Sequence, residues 1–401
     1  MQVSKMTMQT GDIRLIKTIN HGLVMNLIRK HEVISGAQLA QITGMRPSTI
    51  SNLLKDLLAK SLIRSQGKGD STERGGKKPN LWSLNTQVAY AIGIDVEVNE
   101  ITATVMDIAG KCVHQQIAPV EGGIRQDNLI PTLTEAIDDI ISQTRIDNKI
   151  LGMGVSLAGV VQAEEGVILM SRILPNLDIP IKANLAETYS FPILVENNAN
   201  TAAIGEKWVG NAIDCRNFMI VLIEVDRFVG GLGIGLMLDD KLYHGATYAA
   251  GELNIAIPNL TETLRSLRSR FQHGSVLHQY AENIDVVDID LLIQAAQDGD
   301  EVARTYFSML GHLIGKTIAP SVGLINPEKV ILAGHVAEMG DLLVRPVHEA
   351  IQMETLSISN EHLEVVTSKH GHYAVATGAA AMILNEFFKV PIIHTDNKVT
   401  I

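Results

Sequence analysis

Val195-Glu196-Asn197-Asn198-Ala199-Asn200 follows the apolar run Phe191 to Val195 and leads into a helix-like run, Thr201 to Trp208. A polar cluster at the carboxyl end of a strand is where an open α/β sheet places its ligand crevice. This stretch therefore points to an α/β fold and marks its cleft. A catalytic base must take up a proton near neutral pH, and the amide of Asn198 offers no such group.

The surrounding chain has the same texture. Ala89 to Val96 is an apolar strand, Glu100 to Asp107 alternates like its hairpin partner, and Ala109-Gly110 is a turn. Leu129 to Thr144 is an amphipathic helix, and Ile150 to Leu157 a strand ending at Ala158-Gly159. A second system starts at Phe218 to Ile223, followed by a glycine loop, Gly230 to Gly235. Leu291 to Ala296 and Val302 to Ile318 have helical spacing, Val330 to Gly334 is a late strand, and Ala374 to Phe388 a final helix. Strands alternating with helices indicate an α/β fold. The two similar starts, at Ala89 and Phe218, indicate two lobes.

At 401 residues the chain has room for two or three domains. It is 46% hydrophobic and 19% charged, a globular balance. No apolar run approaches the roughly 18 residues of a membrane span. Met1 to Asn20 is polar and interrupted by charge, so no secretory signal is expected. Cys112 and Cys215 are spaced as neither a zinc site nor a disulfide framework, and a reducing cytoplasm is expected. The net charge of −11 is unevenly distributed: residues 1–85 carry 13 Lys and Arg against 5 Asp and Glu, the remainder 20 against 39. A small basic module on an acidic body suggests that one end meets a polyanion.

In that basic module Ile13, Ile16, Ile19, Val24, Leu27 and Ile28 recur at helical spacing. Ser35 is a good N-cap for a short helix, Gly36 to Ile42. Thr43-Gly44-Met45 is a tight turn whose glycine can take positive φ, and Pro47 suits a first helical turn. The next helix, Ser48 to Leu58, sends Ile50, Leu53, Leu54, Leu57 and Leu58 inward. Short helix, glycine turn and second helix make a helix-turn-helix. Arg46, Ser48, Thr49, Ser51, Asn52 and Lys55 face outward, side chains suited to base edges and phosphates in a major groove. Two short strands, Leu62 to Arg64 and Leu81 to Leu84, then flank a glycine-rich loop carrying Arg74, Lys77 and Lys78. Such a wing can reach phosphate or a narrow minor groove. The bland alternative is a three-helix bundle with a polar face and a plain linker.

Together these residues resemble the ROK family of repressors, open reading frames and kinases. The winged helix with Gly76-Lys77-Lys78-Pro79 resembles its repressors. The body resembles its sugar-kinase domain through Gly93-Ile94-Asp95, Glu196 to Asn200, Gly231-x-Gly233-x-Gly235, Ala250-Gly251-Glu252, Asn326-Pro327-Glu328 and Ala333-Gly334-His335. The resemblance implies an N-terminal winged helix-turn-helix followed by a two-lobed, actin-like ATPase domain. The implied boundaries are 1–85 for the DNA-binding domain, 86–200 for the first lobe with a helix from about 374–401 packing back on it, and 201–373 for the second lobe.

The departures from the family pattern carry the functional reading. In the kinases the loop after the first strand is Asp-x-Gly-Gly-Thr, which brings backbone N–H groups to ATP phosphates. Here it is Asp95-Val96-Glu97-Val98-Asn99, and Glu97 repels phosphate. The second glycine motif has Gly230 in place of a hydroxyl residue, and its glycines are expected to serve a tight hairpin. The kinases carry Asn-Asp-Ala-Asn where this chain has Asn197-Asn198-Ala199-Asn200, so the base is an amide here. The family's zinc histidine falls at Ile255, and the cysteine loop falls near Ser269 to Val276, which has no cysteine, so no zinc is expected. Asn197, Asn198 and Glu252 are the residues implied to contact a ligand, with His278 near the place of another contact, while His273 has no implied role.

These readings imply a non-enzymatic transcriptional regulator: no catalytic residue, no cofactor, no metal and no membrane. Its partners are expected to be double-stranded operator DNA, a sugar or sugar-derivative effector, and further copies of itself as a homodimer or homotetramer. It is expected to repress carbohydrate-metabolism genes. The alternatives are an ATP-dependent sugar kinase, or a regulator whose kinase-like domain only assembles.

Overall fold

Helix α1 (Ile13–His31) buries Val24, Met25 and Ile28 but leaves Ile16 49% exposed, so the apolar stripe extends past its partner. The structure, a computed structural model, describes residues 13–69, 78–146, 149–171, 174, 178–225, 230–253, 257–268, 271, 275–281 and 283–390. These fall into two units, one drawn from residues 1–90, 107–111 and 384–401, the other from 91–106 and 112–383.

In the first unit, α1 leads to strand β1 (Ile34–Ser35), helix α2 (Gly36–Thr43), helix α3 (Pro47–Ala59), and strands β2 (Ile63–Lys68) and β3 (Asn80–Leu84). Ser35 and Gln38 form a reciprocal capping box at the head of α2. Gly44 leaves the helix at φ 69°, a left-handed conformation that a Cβ disfavours. The three strands pair in the order β1-β3-β2. Helix, turn, helix and strand pair thus occur in the order of a winged helix-turn-helix. The first wing strand runs to Lys68, further than expected. Residues 384–390 also belong here: the Asn26 amide donates to the Phe388 carbonyl at 2.8 Å, and the Arg29 guanidinium lies over the Phe388 ring.

The second unit has two lobes with the same strand order. The first begins with β4 (Tyr90–Val96), β5 (Glu100–Asp107), β6 (Cys112–Pro119), helix α4 (Leu129–Thr144) and β7 (Ile150–Leu157). A small ribbon, β8 (Val160–Gln162) and β9 (Val167–Met170), then precedes helix α5 (Ile181–Ala186), β10 (Ile193–Asn197) and helix α6 (Asn198–Val209). The sheet order is β10-β7-β4-β5-β6. The second lobe holds β11 (Phe218–Val225), β12 (Gly230–Leu238), β13 (Lys241–Leu242), helices α7 (Leu260–Leu267), α8 (Val276–Tyr280), α9 (Ile289–Gln297) and α10 (Glu301–Ile325), and strand β14 (Lys329–Ala333). Helix α11 (Asp341–Glu354), a short α12 (Ser357–Asn360) and β15 (Glu364–Thr367) complete it, and helix α13 (Ala374–Phe388) then packs back on the first sheet at Gly93 and Gly154. Its sheet order is β13-β12-β11-β14-β15. In each lobe an antiparallel pair (β5/β6, β11/β12) meets parallel strands (β7/β10, β11/β14, β14/β15).

Strand β11 shows why its sequence is a continuous apolar run. Met219, Val221 and Ile223 face a core shared with α7 to α11, while Phe218, Ile220 and Leu222 face α6 and α13. Helices on both faces bury both sides of the sheet. The same effect operates in β5, which is buried along nearly its whole length. Thr102 and Thr104 are fully buried, and exposed positions recur instead on the edge strand β6. Helix α10 runs through Pro320 to Ile325, beyond the expected end. No helix among the described residues is long and apolar enough to cross a membrane.

Candidate functional site

Helix α3 buries Ile50, Leu53, Leu54 and Leu57. Leu58, expected inward, is 44% exposed, because its position falls at the edge of the apolar stripe. On the opposite side Arg46, Ser48, Ser51, Asn52 and Lys55 are exposed and Thr49 is half-buried. The one acid of this helix, Asp56, is engaged by Lys17 of α1 at 2.6 Å, and that contact holds its carboxyl below the usual range. The outward face is thereby left basic. Lys78 is exposed beside the wing, while Arg74 and Lys77 lie outside the described residues. Arg64 and Lys68, exposed on β2, are two further cations to which the sequence pattern assigned no role. The apolar signal of that strand stops near Arg64, although its backbone pairing continues.

In the second unit the quoted stretch is part strand and part helix. Glu196 and Asn197 end β10, and Asn198 to Asn200 are the first turn of α6, earlier than the Thr201 start expected. Asn197 is the N-cap: its side-chain oxygen accepts from the Asn200 amide N–H at 3.1 Å, and its Nδ2 donates to the Gly159 carbonyl at 2.9 Å. Asn198 donates through Nδ2 to Glu224 Oε1 at 2.7 Å, and its oxygen accepts from Ala199 N–H. An ionised carboxylate could not do both, since it has no proton to donate.

Buried Glu196 accepts from Asn197 N–H and Asn200 Nδ2 through one oxygen and meets His244 Nε2 at 2.7 Å through the other. That contact raises the His244 imidazole above its ordinary value, against the opposing effect of burial. Asp95 is buried at the end of β4, and desolvation, followed by the charges of Glu97, Glu224 and Glu100, pushes its carboxyl well above the usual range. The β4–β5 turn is closed by Glu97 N–H donating to Glu100 O at 3.0 Å. The Val98 and Asn99 carbonyls accept from the Ile124 and Val120 N–H groups of the segment that follows β6.

The segment expected as a glycine loop is strand β12, paired with β11. A Cβ on Gly235 would sit 2.3 Å from the Ala199 carbonyl oxygen, and one on Gly233 3.1 Å from Ala199 Cβ. The glycines lie in a hairpin ladder and allow the first turn of α6 to rest on it. Glu252 is exposed just after Gly251, where φ is 86° and a Cβ would sit 1.9 Å from the Ile234 carbonyl oxygen of β12. His278 is not brought to Asn197 and Asn198 by any described contact: it packs on the Phe271 ring within the helical layer of α8. Ile255 and His273 lie outside the described residues. Among the described residues no three His, Cys, Asp or Glu side chains converge as a metal site. Glu224 and His244, bonded to Asn198 and Glu196, are residues to which the sequence pattern assigned no ligand role.

Comparison with known proteins agrees with this architecture. The ROK family profile matches residues 91–259 and 265–386. A xylose repressor from Caldicellulosiruptor bescii is 26% identical over 402 residues, covering 95% of this chain and 99% of that one. Among solved structures, a ROK family transcriptional regulator, a homologue of the E. coli MLC protein, superposes with a TM-score of 0.73 at 23% identity, covering 93% of this chain and 97% of its own. A ROK family glucokinase from Streptomyces griseus, in complex with glucose and AMPPNP, gives a TM-score of 0.64 at 21% identity, covering 73% of this chain and 99% of its own.

Proposed function

The chain belongs to the ROK family, and from that premise we propose that it is a DNA-binding transcriptional repressor of carbohydrate-metabolism genes. The exposed face of α3, with Arg46, Ser48, Ser51, Asn52 and Lys55 around a neutralised Asp56, is the observation that carries this reading. In it, residues 1–85 read the operator, and the lobes, divided near Asn200, take a sugar or sugar derivative. The setting is cytoplasmic. Two copies bind a palindromic site. Leu324, Met353, Leu356 and Ile358, each 73% to 86% exposed around the ends of α10 and α11, suit a contact with a second copy. The test is titration of the full-length protein into its own upstream DNA at several salt concentrations. Sequence-selective binding at two chains per duplex, weakening steeply with salt, is expected. Binding that ignores sequence would overturn the reading.

The body in this reading binds without phosphorylating. Asn198 supplies no base, and Glu97 and Glu224 present carboxylates on the side where a phosphate would enter. Asn198→Asp tests this. It replaces the amide that donates to Glu224 with a second carboxylate 2.7 Å away. It is expected to destabilise the protein by about 1 kcal/mol at pH 8, an amount held down because Glu224 is solvent-screened. The loss shrinks toward pH 4 as the carboxylates protonate. No ADP release from ATP over a panel of sugars is expected from either form. Turnover by the parent refutes the binding-only body, and turnover by Asn198→Asp alone refutes the block at Glu97 and Glu224.

A further inference from the structure

Two helices join the lobes of the second unit, and each begins beside a histidine–carboxylate bridge from one lobe to the other. Helix α6 leaves β10 of the first sheet and packs on β11 and β12 of the second, through Ala199, Ala202 and Ala203. At its head Glu196 of the first lobe meets His244, which follows β13 of the second. Helix α13 follows β15 of the second sheet and lies across the first, where a Cβ on Gly93 would sit 2.0 Å from the Ala376 carbonyl oxygen. At its head His372, in the 3₁₀ turn Gly371–Tyr373, pairs with Glu100, the first residue of β5. The two bridges are therefore equivalent in place as well as in chemistry, one per connecting helix.

We propose that the two bridges form a proton-operated clasp: with His244 and His372 protonated the lobes are held together, and loss of those protons releases them.

The surroundings of both rings favour charge. His244 has Glu196 on β10 and Glu164 in the β8–β9 turn within electrostatic reach, and packs edge-on to Tyr248, whose phenol is bound by Glu164. His372 has Glu100 on β5, Glu97 in the β4–β5 turn and Glu338 in the 3₁₀ turn His335–Met339. It packs against Tyr373 and against His335, which is itself 3.4 Å from Asp290 of α9. The nearest carboxylate raises each imidazole above 6.5, and His372 holds the Glu100 carboxyl below its usual range. A group whose value is higher in the closed form stabilises that form below its ordinary value. The contribution is lost as pH rises through the raised one. Closure is therefore strongest on the acid side of neutrality and weakens above it. Glu100 protonates only well below this window.

The experiment is a distance measurement between spin labels on the full-length protein, one on native, exposed Cys112 in the first lobe and one on Gln352→Cys in the second, Cys215 being buried. A short, narrow distribution at pH 6 that becomes longer and broader at pH 9 is expected. In the double variant His244→Gln, His372→Gln the two pH curves should coincide, and each single variant should keep part of the shift. Identical wild-type curves at the two pH values overturn the clasp, with no variant needed. So does a full shift that survives in the folded double variant or in both single variants.

Discussion

Arg46→Glu combined with Lys55→Glu is expected to weaken operator binding by on the order of 10²–10³-fold near 0.15 M salt, at about 1–3 kcal/mol for each side chain reversed. Both side chains are exposed on the face opposite the buried stripe of Ile50, Leu53, Leu54 and Leu57, so the fold itself should be unaffected. A cation that neutralises a phosphate releases a counterion, so the slope of log affinity against log salt should become shallower by roughly 1 for each cation removed. Ser48→Ala and Asn52→Ala should behave differently. Neutral side chains release no counterions, so they should alter the preference among operator sequences while leaving the slope in place. Fluorescence anisotropy with the protein's own upstream DNA checks all four substitutions. An unchanged affinity and slope in the double charge variant would remove α3 as the reading element, whatever else binds DNA.

Local signals and tertiary pairings differed in how far they could be read. The bounds of α4, α13, β5 and β7 agree with the sequence reading because periodic or apolar runs there end in clear turn residues. The capping box at Ser35 and the left-handed Gly44 are equally local, each settled within a few residues. Helix α11 is hidden in the sequence because Pro346 inside it resembles a breaker, and β6 because an edge strand can remain polar on alternate positions. The cleft divided in the same way. Asn198 stood out because an amide replaces a carboxylate within one short motif. Its partner Glu224 lies 26 residues away, Glu196 and His244 are 48 apart, and Glu100 and His372 are 272 apart. No periodicity links such positions. Only the closure of two sheets around α6 and α13 brings them together. His278, whose family position suggested a ligand contact, packs edge-on to the Phe271 ring.

Gly378→Ala is expected to destabilise the second unit by about 3 kcal/mol or more, the upper range for overpacking, because the clash is with backbone rather than with a flexible side chain. Helices α6 and α13 cross where Gly205 faces Gly378, and a Cβ on Gly378 would sit 2.0 Å from the Thr201 carbonyl oxygen. Relief requires the two helices to separate. Each is fixed on its far side as well: α13 rests on the first sheet at Gly93 and Gly154, and α6 on the second at Gly235. Separation would therefore disturb both sheets at once. The opposite sign is expected for Gly323→Ala on the exposed side of α10, where the nearest atom to a new Cβ is Thr355 Cγ2 at 3.8 Å. That position has room, and replacing a helical glycine should stabilise by about 0.5–1 kcal/mol. Thermal unfolding of the two variants beside the parent checks the pair. A Gly378→Ala protein that melts with the parent would show that the helices have slack at their crossing. Lobe motion would then be limited by the side-chain bridges alone rather than by the backbone packing beneath them.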